Sequence, residues 1–184
     1  MKPSTLIQTL SLACLAAALL ATPAQAEEWK RVSSKDGKIS ALFPEDIRDN
    51  PQTQVDKTAA GKVTSYFGEF YGDGYLLAGS GADIPMLARA AGQNRVFDAS
   101  KGTFLEQAKG TETSFKEIKV GDAPARELIY KGDAYQGKGD PYEGRALFIM
   151  VAKRMYVINA VITDKNATTE AAAKKLFDSI EVSD

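Results

Sequence analysis

The chain has 184 residues, with 23 basic side chains against 24 acidic ones, no histidine and one cysteine, Cys14. So even a balance gives no overall electrostatic footprint for nucleic acid or anionic lipid. The length suits one globular domain with a core large enough to stand without disulfides.

The first 26 residues read as a secretory signal peptide rather than as part of the fold. Lys2 supplies the positive end, Leu6 to Ala21 the apolar stretch, Pro23 the break and Ala24-Gln25-Ala26 the small-x-small cleavage pattern. The uninterrupted apolar run is too short to span a bilayer, and Cys14 is poorly placed for lipid attachment. Cleavage near Ala26 would leave one domain, residues 27–184, without Cys or His. Its 22 basic and 24 acidic residues give a net charge of about −2. The expected location is periplasmic or secreted, with no membrane span in the mature chain.

Trp29 to Ser33 and Ile39 to Phe43, ended by Pro44, form a first hairpin around the turn residues Lys35-Asp36-Gly37-Lys38. Glu45 to Gly61 is polar and aperiodic and reads as a loop. Val63 to Tyr71 and Tyr75 to Ala78 form a second hairpin around Gly72-Asp73-Gly74, with Gly79-Ser80-Gly81 as a strand end or bulge. Met86 to Ala91 favours helix. A second helix is predicted from Asp98, as N-cap, to Lys109, with Gly110 as its C′ glycine. Phe115 to Val120 and Arg126 to Tyr130 are strands joined by Gly121 to Pro124, and Lys131 to Glu143 is a second long loop.

Arg145 to Thr163 is the centre of the chain. Two apolar, β-branched arms flank the polar break Lys153-Arg154 and predict a buried hairpin. In the first arm Leu147/Ile149/Val151 and Ala146/Phe148/Met150 are both apolar, which predicts cover on each face. In the second arm Tyr156, Ile158, Ala160 and Ile162 oppose Val157, Asn159, Val161 and Thr163, so Asn159 and Thr163 mark the thinner cover. Asn166 to Ser179 closes the chain as a helix, with Ala173, Leu176, Phe177 and Ile180 on one face. The order indicates an α+β domain with a mainly antiparallel sheet.

These residues also resemble a family. Trp29; Asp36-Gly37 ahead of Ile39 to Pro44; Gly121-x-x-Pro124-x-Arg126-Glu127; Lys153 to Ile158; and Leu176-Phe177-Asp178-Ser179-Ile180 recur in that order in exported bacterial members of the Mog1/PsbP-like group. The resemblance covers nearly all of the mature chain. It implies an antiparallel sheet sandwiched by helices (α/β/α) and a non-enzymatic role. Characterised relatives bind a small GTPase or a photosynthetic membrane complex, and no binding residue of theirs transfers. The family often has Gly at the hairpin turn where this chain has Lys153.

Without His or Cys the mature chain cannot build a Ser-His-Asp or Cys-His pair, a His-ligated zinc site or a thiol redox pair. No serine after residue 26 has Lys three positions on, and Ala78 spoils a nucleophile elbow at Ser80. Gly132 to Gly139 has phosphate-loop spacing, but Gly139 stands where Ser or Thr should be and Asp140-Pro141 follows, so the match is coincidental. Asp133, Asp140 and Glu143 fit no calcium signature. No cofactor is expected.

The candidate contacts are Tyr135 and Tyr142, as loop tyrosines or as lids folded over apolar surface, and Arg126 with Glu127, which together with Arg145 and Arg154 read as ion pairs and strand-edge protection or as an anion site. The reading is an accessory module of the cell envelope that binds an unidentified envelope protein or small ligand through its two long loops, and does not bind nucleic acid. The alternatives are a hydrolase built on carboxylates and a self-associating surface protein.

Overall fold

The computed structural model describes residues 28–47, 53–56, 62–134 and 140–183. The signal-peptide reading and Tyr135 lie outside the described residues. The chain begins with the hairpin β1 (Trp29–Ser33) and β2 (Ile39–Pro44), followed by β3 (Thr53–Asp56), β4 (Lys62–Gly72) and β5 (Tyr75–Asp83). Helices α1 (Met86–Ala90) and α2 (Gln93–Ala108) precede four strands, β6 (Thr111–Val120), β7 (Ala123–Gly132), β8 (Tyr142–Val151) and β9 (Arg154–Ile162). Helix α3 (Ala167–Asp178) and β10 (Glu181–Val182) complete the chain.

A seven-stranded antiparallel sheet runs β3-β4-β5-β9-β8-β7-β6. After β5 the chain crosses one face through α1 and α2 to the far edge, and β6 to β9 then return to pair with β5. Helix α3 crosses the other face and delivers β10 to β2, forming the small sheet β1-β2-β10. The architecture is α+β with helices on both faces, as expected, but one outer layer combines α3 with this small sheet.

The apolar alternation of β8 explains the two cores. Leu147 and Ile149 face Ile39, Phe43, Leu176 and Phe177, while Ala146 and Phe148 face the α2 side with Val96 and Phe97. Full burial of side chains such as Phe148 and Ile149 stabilises the fold by about 1.5–3 kcal/mol each.

Several boundaries differ from expectation. The polar segment 45–61 contains β3, whose Val55 pairs with Val63; four residues of mixed polarity carry too little pattern to be read as a strand. Gly79 and Gly81 lie within β5, not at its end, and the register of β4 shifts at Phe67 opposite Ser80 and Gly79, as a bulge would: a Cβ would stand 2.6 Å from the Phe67 ring at Gly79 and 2.8 Å from Tyr156 at Gly81. These glycines admit aromatic rings crossing from neighbouring strands.

Helix α2 starts at Gln93, so Asp98 is not its N-cap. Gly92 occupies that position without a side-chain bond, and burial of Val96 and Phe97 holds the first turn. At the other end Lys109, not Gly110, adopts the left-handed conformation (φ 53°). Gly110 is small for a different reason, because a Cβ there would lie 2.8 Å from Tyr130. The central turn is Ala152-Lys153, not Lys153-Arg154: Val151 pairs with Arg154, and Ala152 takes φ 52° where glycine is favoured. Asn166 caps α3 by accepting from the Thr168 and Thr169 amides, with Thr169 completing a capping box.

Candidate functional site

Arg126 and Glu127 are adjacent on β7 and therefore face opposite layers. Arg126 donates to Asn94 Oδ1 at 2.9 Å, lies 3.9 Å from Asp98 and from Glu117, and its guanidinium sits over Phe97 and Phe115. It ties α2 to the sheet edge. Glu127 accepts from Arg145 Nε at 2.7 Å, and Arg145 covers the Phe177 ring of α3. The two residues form separate structural ties, and nothing brings them to one anion site.

A second polar cluster joins segments far apart in sequence. Asp36, in the β1–β2 turn, accepts from the Tyr156 hydroxyl at 2.5 Å and Arg154 at 3.1 Å through one oxygen, and from the Ser34 hydroxyl at 2.7 Å through the other. Burial would raise the Asp36 carboxyl, but bonds from Tyr156, Ser34 and the Lys38 amide, with the Arg154 charge, outweigh it and hold the pKa at about 2. Burial and the Asp36 bond push the Tyr156 phenol upward. Tyr156 is only 1% exposed, so the cluster is a brace and not a ligand site.

Tyr142 is where a real cavity begins. It is not an exposed loop residue: its ring is buried and its hydroxyl donates to the Ala108 carbonyl at 2.6 Å. It folds back as a lid edge-on to Tyr130, which meets Phe104 edge-on in turn. Small residues make room for both rings, since a Cβ at Gly132 would lie 2.4 Å from Tyr142 and one at Gly144 2.1 Å from Tyr130. Burial, and then the Asp133 charge, raises the Tyr142 phenol, so it stays a hydrogen-bond donor.

These rings wall a pocket of about 340 Å³ with Leu76, Phe104, Ala108, Ala134 and Val161, and with Gln107, Lys109 and Asn159 as polar groups. Asn159 Oδ1 accepts from Tyr130 at 2.8 Å, and its amide nitrogen has no partner among the described residues. Asn159 was the visible signal, a polar residue on the otherwise apolar second face of β9. Phe104, Gln107 and Lys109 gave no such sign, because only docking of the α2 C-terminus on the sheet brings them there.

A larger open groove, about 1180 Å³, lies on the α3 side. Glu28, Glu45, Asp46 and Asp73 line it with Phe70, Tyr75 and the start of α3. Contact between the Glu28 and Glu45 carboxyls raises the pKa of Glu45, and both are solvent-exposed. Glu143, near the same end, is held by Lys165 at 3.0 Å. Both concavities open at the end of the sheet that carries the β4–β5 turn and the β7–β8 connection. Pro44, Glu45 and Asp46 begin the first long segment, while Ala134 and Tyr142 flank the second. Among the described residues no helix is long and apolar enough to cross a membrane.

The chain matches no protein-family model and no curated protein sequence. Its structure is similar to that of cyanobacterial PsbP (CyanoP) from Synechocystis sp. PCC 6803, over 94% of this chain and 98% of that one, at 11% identity and TM-score 0.57. It is also similar to LpqN of Mycobacterium tuberculosis, involved in cell envelope biogenesis, over 86% of this chain and 92% of that one, at 11% identity and TM-score 0.50. The Saccharomyces cerevisiae Ran-binding protein Mog1p aligns over 85% of this chain and 96% of its own, at 12% identity and a TM-score of 0.44, too low to carry an argument. The seven-stranded antiparallel sheet between α2 and the α3 layer is the fold of the Mog1/PsbP-like group.

Proposed function

We propose that the protein is a non-enzymatic accessory module acting outside the cytoplasm, and that it holds a small, largely apolar ligand in the Tyr130–Tyr142 pocket. The observation that carries this is the pocket itself. Its volume of about 340 Å³ falls at the lower end of small-molecule sites, its walls are aromatic and aliphatic, and polar groups converge at Asn159. The N-terminal pattern Lys2 to Ala26 supports export, and an envelope role is in keeping with the structural likeness to LpqN.

Titration with anilinonaphthalene sulfonate tests the reading, because the probe is apolar and Lys109 can meet its sulfonate. Saturable binding to one site is expected, lost in Ala134→Trp, which plugs the rim. Binding that is absent, or unchanged in the plugged variant while the fold is intact by circular dichroism, would overturn it.

A further inference from the structure

The two ends of the large sheet differ in kind. At one end the larger concavity carries Glu28, Glu45, Asp46 and Asp73, while Lys109 lines the smaller one. The nine residues of β5 lead from there, over about 26 Å, to the opposite end, where α1 begins.

At that end the chain exposes what it otherwise buries. Met86 is 72% exposed and Leu87 81%, and no residue of α1 is buried. Consecutive exposed apolar side chains on a convex turn form a prong, not a groove, and their neighbours are basic. Arg89 and Arg95 are exposed and have no ion-pair partner among the described residues. The Lys153 carbonyl accepts from the Ile84 amide at 2.8 Å, which sets the β8–β9 turn beside α1, and the Lys153 side chain is likewise exposed and without a partner. The Asp36–Arg154 pair draws exposed Lys35 to the same end. Asp36 and Asp83 share Arg154, Asp98 and Glu117 each lie 3.9 Å from Arg126, and Asp122 of the β6–β7 turn is a further carboxylate nearby.

We propose that the α1 end is a docking surface for anionic phospholipid membranes. Met86 and Leu87 enter the interface, and Arg89, Arg95 and Lys153 lie against the headgroups. Charge complementarity selects this occupant. The basic end is attracted to an anionic surface and the carboxylate-rich end is repelled, so the molecule stands with both concavities facing away from the lipid. An even total charge conceals this polarity. The proposal does not depend on a ligand in the Tyr130–Tyr142 pocket.

Hydrogen exchange of the full chain, with phosphatidylglycerol or phosphatidylcholine vesicles, tests it. The readout is local because the apolar N-terminal stretch could itself tether the chain to any vesicle. Amides of residues 86–91 are expected to slow about tenfold on phosphatidylglycerol relative to phosphatidylcholine, while those of residues 72–75 stay unchanged. Met86→Glu with Leu87→Glu should abolish the slowing, and each of Arg89→Glu and Arg95→Glu should weaken it by about fivefold or more. Equal exchange on the two lipids, or slowing that persists in the Met86/Leu87 variant, would overturn the proposal. Slowing by soluble polyglutamate but not by vesicles would overturn it in favour of an acidic protein partner.

Discussion

The Tyr156 hydroxyl donates to Asp36 at 2.5 Å across 120 residues of sequence, joining the turn of the first hairpin to the central strand β9. Arg154 reaches the same carboxylate oxygen and also pairs with Asp83 at the end of β5. The brace therefore locks the small sheet to the large one through one carboxylate. Removing that carboxylate leaves the buried phenol without its acceptor and Arg154 with only Asp83 and the Gly81 carbonyl. Asp36→Ala should cost about 2–4 kcal/mol, and Tyr156→Phe only about 1 kcal/mol, because Ser34, Lys38 and Arg154 still serve Asp36. Urea denaturation of both variants and the double variant would measure the coupling, and additive effects would count against the brace.

The same residue makes stability depend on acid. Its carboxyl is held at about 2 in the folded chain, against its usual 3.8. The stabilisation is therefore complete above about pH 4 and is lost as pH falls towards 2. Solvent screening limits this to the order of 1 kcal/mol. A denaturation series from pH 5 to pH 2 should show the decline, and Asp36→Asn should flatten it. An unaltered slope in that variant would assign the acid sensitivity to other carboxylates.

Gly144 lies so close to Tyr130 that a methyl group would overlap the ring at 2.1 Å. Tyr130 is 1% exposed and its hydroxyl is bound to Asn159, so it has no easy escape. Gly144→Ala should destabilise by about 1–3 kcal/mol and distort the adjacent pocket. Gly102→Ala in α2, where a Cβ meets nothing within 4 Å, should instead stabilise by up to about 1 kcal/mol. Thermal denaturation of the pair distinguishes ring packing from a general effect of glycine replacement.

Ala152 holds φ 52° at the first position of the β8–β9 turn. A side chain there is strained, by roughly 1 kcal/mol for the left-handed region. Ala152→Gly should raise the melting temperature by a few degrees, and Ala152→Val should lower it further than Gly raises it. Calorimetry of the three proteins would check the order.

Local chemistry accounts for what could be read directly. The double-sided apolar alternation of β8 determined a buried central strand, the spacing of Ala173, Leu176 and Phe177 marked the closing helix, and Gly72-Asp73-Gly74 marked a turn. Short motifs resembling the Mog1/PsbP-like group pointed to the architecture before any contact was known. Two of those motifs, Asp36-Gly37 and Arg154 to Tyr156, prove to be halves of one hydrogen-bonded cluster. What local pattern could not supply was which distant residues meet. Tyr142 reads equally well as a loop contact or a lid, and the carbonyl at the end of α2 decides for the lid. Arg126, Glu127, Arg145 and Arg154 read as ion pairs or an anion site; the ion pairs form, Glu127 with Arg145 among them, but strand geometry sends Arg126 and Glu127 to opposite faces. The sequence by itself determined most of the elements and their buried faces, though not β3 or the start of α2, because periodicity acts over a few residues. Only the tertiary structure decided the pocket, the brace and the opposed ends of the molecule, because these arise where the antiparallel register and the crossing of α2 and α3 bring together side chains that share no local pattern.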